Sequence, residues 1–308
     1  MIEIRRLHRV FGKTWAVNDI SFEVPAGKVF GYIGPHGAGK TTSMRILATL
    51  DLPTYGDALV DGFSVIQDPD RVRQRIGFMP DAFGTYPNVN CREYLDFFAR
   101  AYGLHGTARR RAMDRVMRFT GLDVLAEKPI RGLSKGMKQR LCLGRALIHD
   151  PPALIMDEPA AGLDPRARIE LRDMIASLAA EGKSILISSH ILTELAEMCD
   201  RVAIIERGKL LANGTVEEIR RTLVPHREVN VRVLGDAQSV GNWLSARNDV
   251  RQVSVDGEQI RFSHDGQREQ EVALLRDMIL AGLSIAEFSS HTTSLEEVFM
   301  RVTRGEVQ

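Results

Sequence analysis

Two kinds of apolar pattern alternate along the first two thirds of the chain. Val29-Phe30-Gly31-Tyr32-Ile33, Ala153-Leu154-Ile155-Met156 and Ser184-Ile185-Leu186-Ile187-Ser188 are short, nearly unbroken apolar runs. Such runs are expected of strands buried on both faces in a parallel sheet covered by helices. Between them lie segments of helical period. Thr41 to Leu50 aligns Met44, Leu47 and Ala48; Arg92 to Tyr102 aligns Leu95, Phe98 and Tyr102; Thr107 to Thr120 aligns Met113, Val116 and Met117. The last two predict a helical subdomain. After Met156 comes a helix with Asp164 as N-cap and Pro165 at its first position. Leu171, Ile175 and Leu178 share its face, and Gly182 lies past its end. Strand, helix and strand in this order predict a parallel β-α-β unit.

Shorter signals fill the gaps. Asp51 to Asp68 is rich in turn residues around Ala58-Leu59-Val60 and Asp61-Gly62, which predicts short antiparallel strands beside the main sheet. Ile76-Gly77-Phe78-Met79 reads as a further strand. Val202 to Ile205 and Leu210 to Ala212 read as a hairpin across Glu206-Arg207-Gly208-Lys209, followed by a capping box at Thr215 and Glu218. From Pro225 the pattern becomes alternation, at Val229, Val231 and Val233, and at Val253, Val255, Ile260 and Phe262 around Asp256-Gly257. Helical segments at Glu271 to Leu280 and Ser294 to Val302, the latter with a capping box at Ser294 and Glu297, complete the pattern. The expected organisation is an α/β domain over residues 1–224 and a small α+β domain over 225–308.

Composition narrows the setting. Among 308 residues, 41 lysines and arginines nearly cancel 40 aspartates and glutamates. No global field therefore argues for nucleic acid or an anionic surface. No run approaches the roughly 18 apolar residues that cross a bilayer, and Met1-Ile2-Glu3-Ile4-Arg5 has no signal-peptide core, so a cytoplasmic protein is expected. Cys91, Cys142 and Cys199 lack metal-ligand spacing and read as buried, reduced thiols. The helix Thr107 to Thr120 carries Arg109, Arg110, Arg111, Arg115 and Arg118 against Asp114. A solvated basic face is the default; contact with anionic headgroups or an acidic loop of a membrane partner is the alternative.

The chemistry lies at the ends of the buried runs. Gly34-Pro35-His36-Gly37-Ala38-Gly39-Lys40-Thr41-Thr42 fits G-x-x-x-x-G-K-[ST] between a predicted strand and a predicted helix. Its glycines let successive N–H groups point at phosphate oxygens, and the helix N-terminus adds to that field. Lys40 is placed to contact the β- and γ-phosphates and Thr41 the magnesium. His36 is unusual in this loop; its position tolerates many side chains if only its N–H is used, and a catalytic histidine is the alternative. Asp157 and Glu158 end a buried strand, where two carboxylates are costly unless they meet a cation or a proton-transfer task. Asp157 suits Mg²⁺ held through water, and Glu158 suits polarising the attacking water. His190 ends the next strand and opens on the same crevice, which suits a γ-phosphate contact. Leu133-Ser134-Lys135-Gly136 precedes a further apolar-periodic helix, placing Ser134 and Gly136 at a second anion-binding helix end. One phosphate cradle is already complete, so this end needs a second nucleotide or a second molecule.

Leu133 to Arg140 resembles the signature sequence of ABC ATPases in the variant Leu-Ser-x-Gly-Met. The family's other motifs stand in order: Gly34 to Thr42, Leu154 to Glu158, Ala161-Gly162-Leu163-Asp164 (the D-loop) and His190. Phe11 resembles the aromatic that stacks on adenine. The resemblance covers about residues 1 to 220 and implies a P-loop fold of ABC ATPase type, with a mixed sheet core, an antiparallel β subdomain and a helical subdomain. It implies ATP and Mg²⁺ as cofactors and a head-to-tail dimer with a second copy or a paralogue, each nucleotide held by the phosphate loop of one subunit and by the signature residues Ser134 and Gly136 of the other, with Asp164 also a nucleotide-binding residue. Where the family usually has a glutamine that contacts Mg²⁺ and faces the membrane subunit, this chain has Asp81. Its carboxylate ligates the metal more tightly, is repelled by the γ-phosphate, or sits in a plain surface loop. Tyr86-Pro87-Asn88, the Lys135 and Met137 variants, and Ser294 to Phe299 resemble bacterial exporters of the ABC-2 type. Such subunits pair with separately encoded membrane permeases and sit on the cytoplasmic face of the membrane. A soluble ABC protein acting on ribosomes or nucleic acid is the alternative.

Overall fold

The apolar runs become the centre of a six-stranded sheet. In the computed structural model, residues 1–82, 84, 86, 88–191, 195–223, 227–264 and 268–291 are described. Pro87 and the helix expected at Ser294 to Val302, with its capping box, lie outside them. The chain forms two compact units, Met1–Val216 and Glu217–Arg304.

The first unit opens with a hairpin of β1 (Ile2–Phe11) and β2 (Thr14–Val24). The buried strand β3 (Val29–Ile33) follows and runs through the glycine loop into the helix Lys40–Leu47. Strands β4 (Tyr55–Val60) and β5 (Phe63–Ser64) are joined by Asp61 and Gly62, at φ 52° and 82°. Positive φ at both positions is what a two-residue hairpin turn matched to strand twist needs. These strands form an antiparallel sheet in the order β2-β1-β4-β5. Then come β6 (Ile76–Met79), β7 (Ala153–Met156), β8 (Ser184–Ser189), β9 (Arg201–Glu206) and β10 (Lys209–Gly214). The second sheet has the order β10-β9-β3-β8-β7-β6, parallel except for the edge strand β10. The two sheets share one core, in which Phe22 of β2 stacks on Phe30 of β3 at 4.8 Å.

The expected helical subdomain consists of Cys91–Ala101 and Gly106–Phe119, packed with Lys135–Leu147. A capping box of Asn90 and Glu93 starts the first of these. In the basic helix, Arg109 pairs with Asp96 at 3.0 Å and Arg115 with Asp150 at 2.8 Å, so part of its charge is neutralised internally. The helix Pro165–Ala180 packs on β3 and β8. Cys91 and Cys142 are buried free thiols, whereas Cys199 is only half-buried.

The second unit runs β11 (Arg227–Val233), helix Ala237–Ser245, β12 (Val250–Asp256), β13 (Gln259–His264), helix Arg268–Leu280 and β14 (Ile285–His291). Its antiparallel sheet has the order β12-β13-β11-β14. This is the β-α-β-β-α-β arrangement of ferredoxin-like folds. Val229, Val231, Leu244, Ile260, Phe262, Leu274 and Met278 form its separate core.

Candidate active site

Three neighbouring strands, β3, β8 and β7, each deliver one part of the site at their carboxyl ends. After β3, the loop Gly34–Gly39 turns into the helix Lys40–Leu47. Gly39 sits at φ 105°, and a Cβ there would collide with the carbonyl oxygen of Ala16, so only glycine fits. That helix starts without a side-chain cap, whereas Ser134 and Asp164 cap theirs by accepting from the N–H groups of Met137 and Ala167. An uncapped helix end leaves its first N–H groups for a phosphate. Lys40 is 6% exposed and folds back over the loop, donating to the carbonyl oxygens of Gly34 at 2.5 Å and Pro35 at 3.3 Å. Burial pulls its ammonium below the usual lysine range, while Glu158 and Asp157 act the other way.

After β7, Asp157 is buried and Glu158 stands at φ 50°, a left-handed conformation uncommon for a side chain of this size. Two bonds from one hydroxyl hold the pair. Ser188, on β8, donates its hydroxyl to Asp157 Oδ1 at 2.5 Å and accepts the Glu158 N–H at 2.9 Å. The Glu158 carboxylate lies 3.5 Å from Lys40 Nζ and 2.8 Å from His190 Nδ1. The structure thus brings Lys40, Glu158 and His190 together. Ser188 was not singled out from sequence; its place one strand over from the Asp-Glu pair was the available signal. The His36 ring packs against that of His190, with centroids 5.0 Å apart.

One ammonium facing two carboxylates leaves excess negative charge that a Mg²⁺ fits. Among the described residues no three His, Cys, Asp or Glu side chains form a metal cluster. Such a Mg²⁺ would take most of its ligands from phosphates and water, as this ion prefers. Thr41 is exposed at the start of the helix, and Thr42 is half-buried. Asp81, exposed, lies two residues beyond β6, the strand paired with β7, and so on the same edge of the sheet as Asp157.

The signature residues belong to a different neighbourhood. Gly136 faces Ala167 and Leu163, and the Lys135 side chain lies over Gly162, so the signature helix packs on the D-loop. The phosphate loop instead rests on Ala16 and Ile205. Phe11 ends β1 and is 47% exposed.

A glycine cradle with a buried lysine, set beside an Asp-Glu pair on a parallel sheet, defines a P-loop nucleoside triphosphatase. The family model described as "ABC transporter" matches residues 17–161, and that of the "ATP-binding protein DrrA1-3-like, C-terminal domain" matches 214–303. A Nod factor export ATP-binding protein I of Ralstonia nicotianae is 34% identical over 315 residues, covering 100% of this chain and 95% of that protein. A linearmycin resistance ATP-binding protein of Bacillus subtilis is 29% identical over 98% of both chains. A solved structure of an ATP binding subunit of an ABC transporter is 31% identical with a TM-score of 0.66, covering 72% of this chain and 92% of that one. A dimeric ATP-binding cassette in a post-hydrolysis state with ADP and Pi, 22% identical, shares the fold at a TM-score of 0.63, covering 70% of this chain and 99% of that one. The chain belongs to the ATP-binding subunits of ABC transporters, and it is an ATPase.

Proposed function

We propose that this ATPase powers an exporter by closing as a dimer on ATP and reopening after hydrolysis. The observation that carries this reading is Glu158, held between Lys40 and His190 with its backbone fixed on Ser188. A carboxylate so placed suits the general base that polarises the attacking water, a role worth about 10² to 10⁴ in rate. The loop Gly34 to Thr42 cradles the phosphates through its backbone N–H groups, those of His36, Gly37 and Ala38 among them, while Pro35, which has no N–H, shapes the loop. Lys40 neutralises them, and His190 contacts the γ-phosphate. Thr41 and Asp157 would hold a Mg²⁺, with Asp81 a further candidate ligand, and the ion would supply positive charge against the phosphates. Phe11 offers its ring to adenine, while Ser134, Gly136 and Asp164 serve the nucleotide of the partner copy.

Residues 1–224 form the ATPase domain and 225–308 an accessory domain in this reading. Among the described residues no helix is long and apolar enough to cross a membrane. In this reading a separately encoded permease supplies the spanning part and holds the subunit at the cytoplasmic face. Export, rather than import, draws on the relatives' names. Action on ribosomes or nucleic acid is not favoured, because the matched relatives are transporter subunits.

Glu158→Gln tests the mechanism. The variant is expected to bind ATP, to lose turnover by roughly 10² or more, and to elute as a dimer on size exclusion with ATP and Mg²⁺. Elution as a monomer only, with nucleotide bound, would overturn ATP-driven closure.

A further inference from the structure

Phe11 does not stand alone at the end of β1. The Arg9 guanidinium lies over its ring, 4.4 Å from the centroid. Arg9 is in turn anchored by an ion pair to Asp51 at 2.8 Å. Both partners are largely shielded, with side-chain exposures of 23% and 22%, whereas Phe11 is 47% exposed. Arg9 Nε is buried without a hydrogen-bond partner among the described residues, so the ring and the carboxylate hold the guanidinium in place. Asp51 follows the phosphate-loop helix Lys40–Leu47 and accepts from the Leu52 N–H at 2.9 Å. The same stretch is tied to β1 twice more, by Thr54 N–H donating to the His8 carbonyl at 2.7 Å and by Val10 N–H donating to Thr54 Oγ1 at 3.0 Å.

A cation over one face of an aromatic ring leaves the opposite face for one planar ligand and fixes how that face is presented. We propose that Arg9 and Asp51 are positioning residues for the nucleotide base: Arg9 sets the Phe11 ring, and Asp51 ties that platform to the helix whose N-terminus holds the phosphates. Base and phosphate subsites then form one frame, so an exposed phenylalanine is presented in a single orientation. This rests on the reading of Phe11 as the adenine platform.

The test compares ADP with inorganic tripolyphosphate, which has no base, by isothermal titration calorimetry on the full chain. A cation–π contact of this kind contributes about 0.5 to 1 kcal/mol, a factor of about 2 to 5 in affinity. Arg9→Met is expected to raise the Kd for ADP by that factor and to leave the Kd for tripolyphosphate unchanged. Arg9→Lys recovers part of the loss, Asp51→Asn loses less than Arg9→Met, and adding Arg9→Met to Phe11→Ala weakens ADP no further. Equal weakening of both ligands by Arg9→Met would show that Arg9 only supports the phosphate loop. Unchanged ADP binding in Arg9→Met, with Phe11→Ala weakened, overturns the Arg9 role and leaves the platform standing. Unchanged ADP binding in Phe11→Ala removes the platform itself, and the proposal with it.

Discussion

Ser188 holds both acidic residues of the site with one hydroxyl, and its loss separates positioning from binding. Ser188→Ala leaves the Glu158 N–H without its acceptor and Asp157 without its donor. Groups that orient a working side chain typically matter by about 10 to 100-fold, so turnover is expected to fall by that factor while ADP affinity changes little. Steady-state ATPase assays with ADP titrations check both. His149 carries a different consequence. Its ring stacks on Tyr102 at 3.7 Å, its Nε2–H donates to the Ile76 carbonyl, and its Nδ1 is buried without a partner among the described residues. Burial pushes its pKa down to about 4. Between pH 6.5 and 4 the unfolded chain binds a proton that the native chain excludes, so stability falls as pH falls through this window. The loss amounts to roughly 2 to 3 kcal/mol by pH 4.5. Urea unfolding at pH 7 and 4.5 is expected to show it, and His149→Phe, which keeps a ring against Tyr102, is expected to lose that part of the slope.

At the scale of elements, the phosphate loop separates two glycines that look alike in sequence. Gly37, at φ 77°, has open space where a Cβ would go, whereas Gly39, at φ 105°, has the Ala16 carbonyl there. Gly37→Ala is expected to cost about 1 kcal/mol of backbone strain and to keep nucleotide binding. Gly39→Ala must displace β2 or the loop and is expected to abolish binding, as calorimetry and melting temperatures of the two variants will show. Legibility followed burial. Strands β3, β7 and β8 were readable because strands covered on both faces are apolar throughout, and the motifs that follow them were readable for the same reason. The hairpin β1–β2 was not, because register shifts from Ile4 to Val10 and positive φ at Arg6 and Asp19 break its alternation. The helix Ala237–Ser245 was hidden by Gly241, which sits in mid-helix where a Cβ would strike Val255 of β12. Contacts across strands, such as Ser188 with Glu158 or His36 with His190, have no sequence period and came only with the fold.

For the whole molecule, the signature helix packs on the D-loop, while the phosphate loop rests on β2 and β9. If Ser134 serves a partner's nucleotide, two chains disabled in different halves will repair each other. Lys40→Ala and Ser134→Arg are each expected to be inactive. Mixed in equal amounts they are expected to regain a fraction of the ATPase rate, and no recovery at any ratio would count against sharing between copies. The sheet order also bears on how the protein is made. The phosphate-loop strand β3 pairs on one side with β8 and on the other with β9, both encoded after residue 183. As the chain leaves the ribosome, the phosphate-binding motif emerges early, and its strand stays unpaired until those two appear. A nascent or truncated chain ending before Ser184 would carry the whole glycine motif in its sequence with neither of the strands that pair with β3.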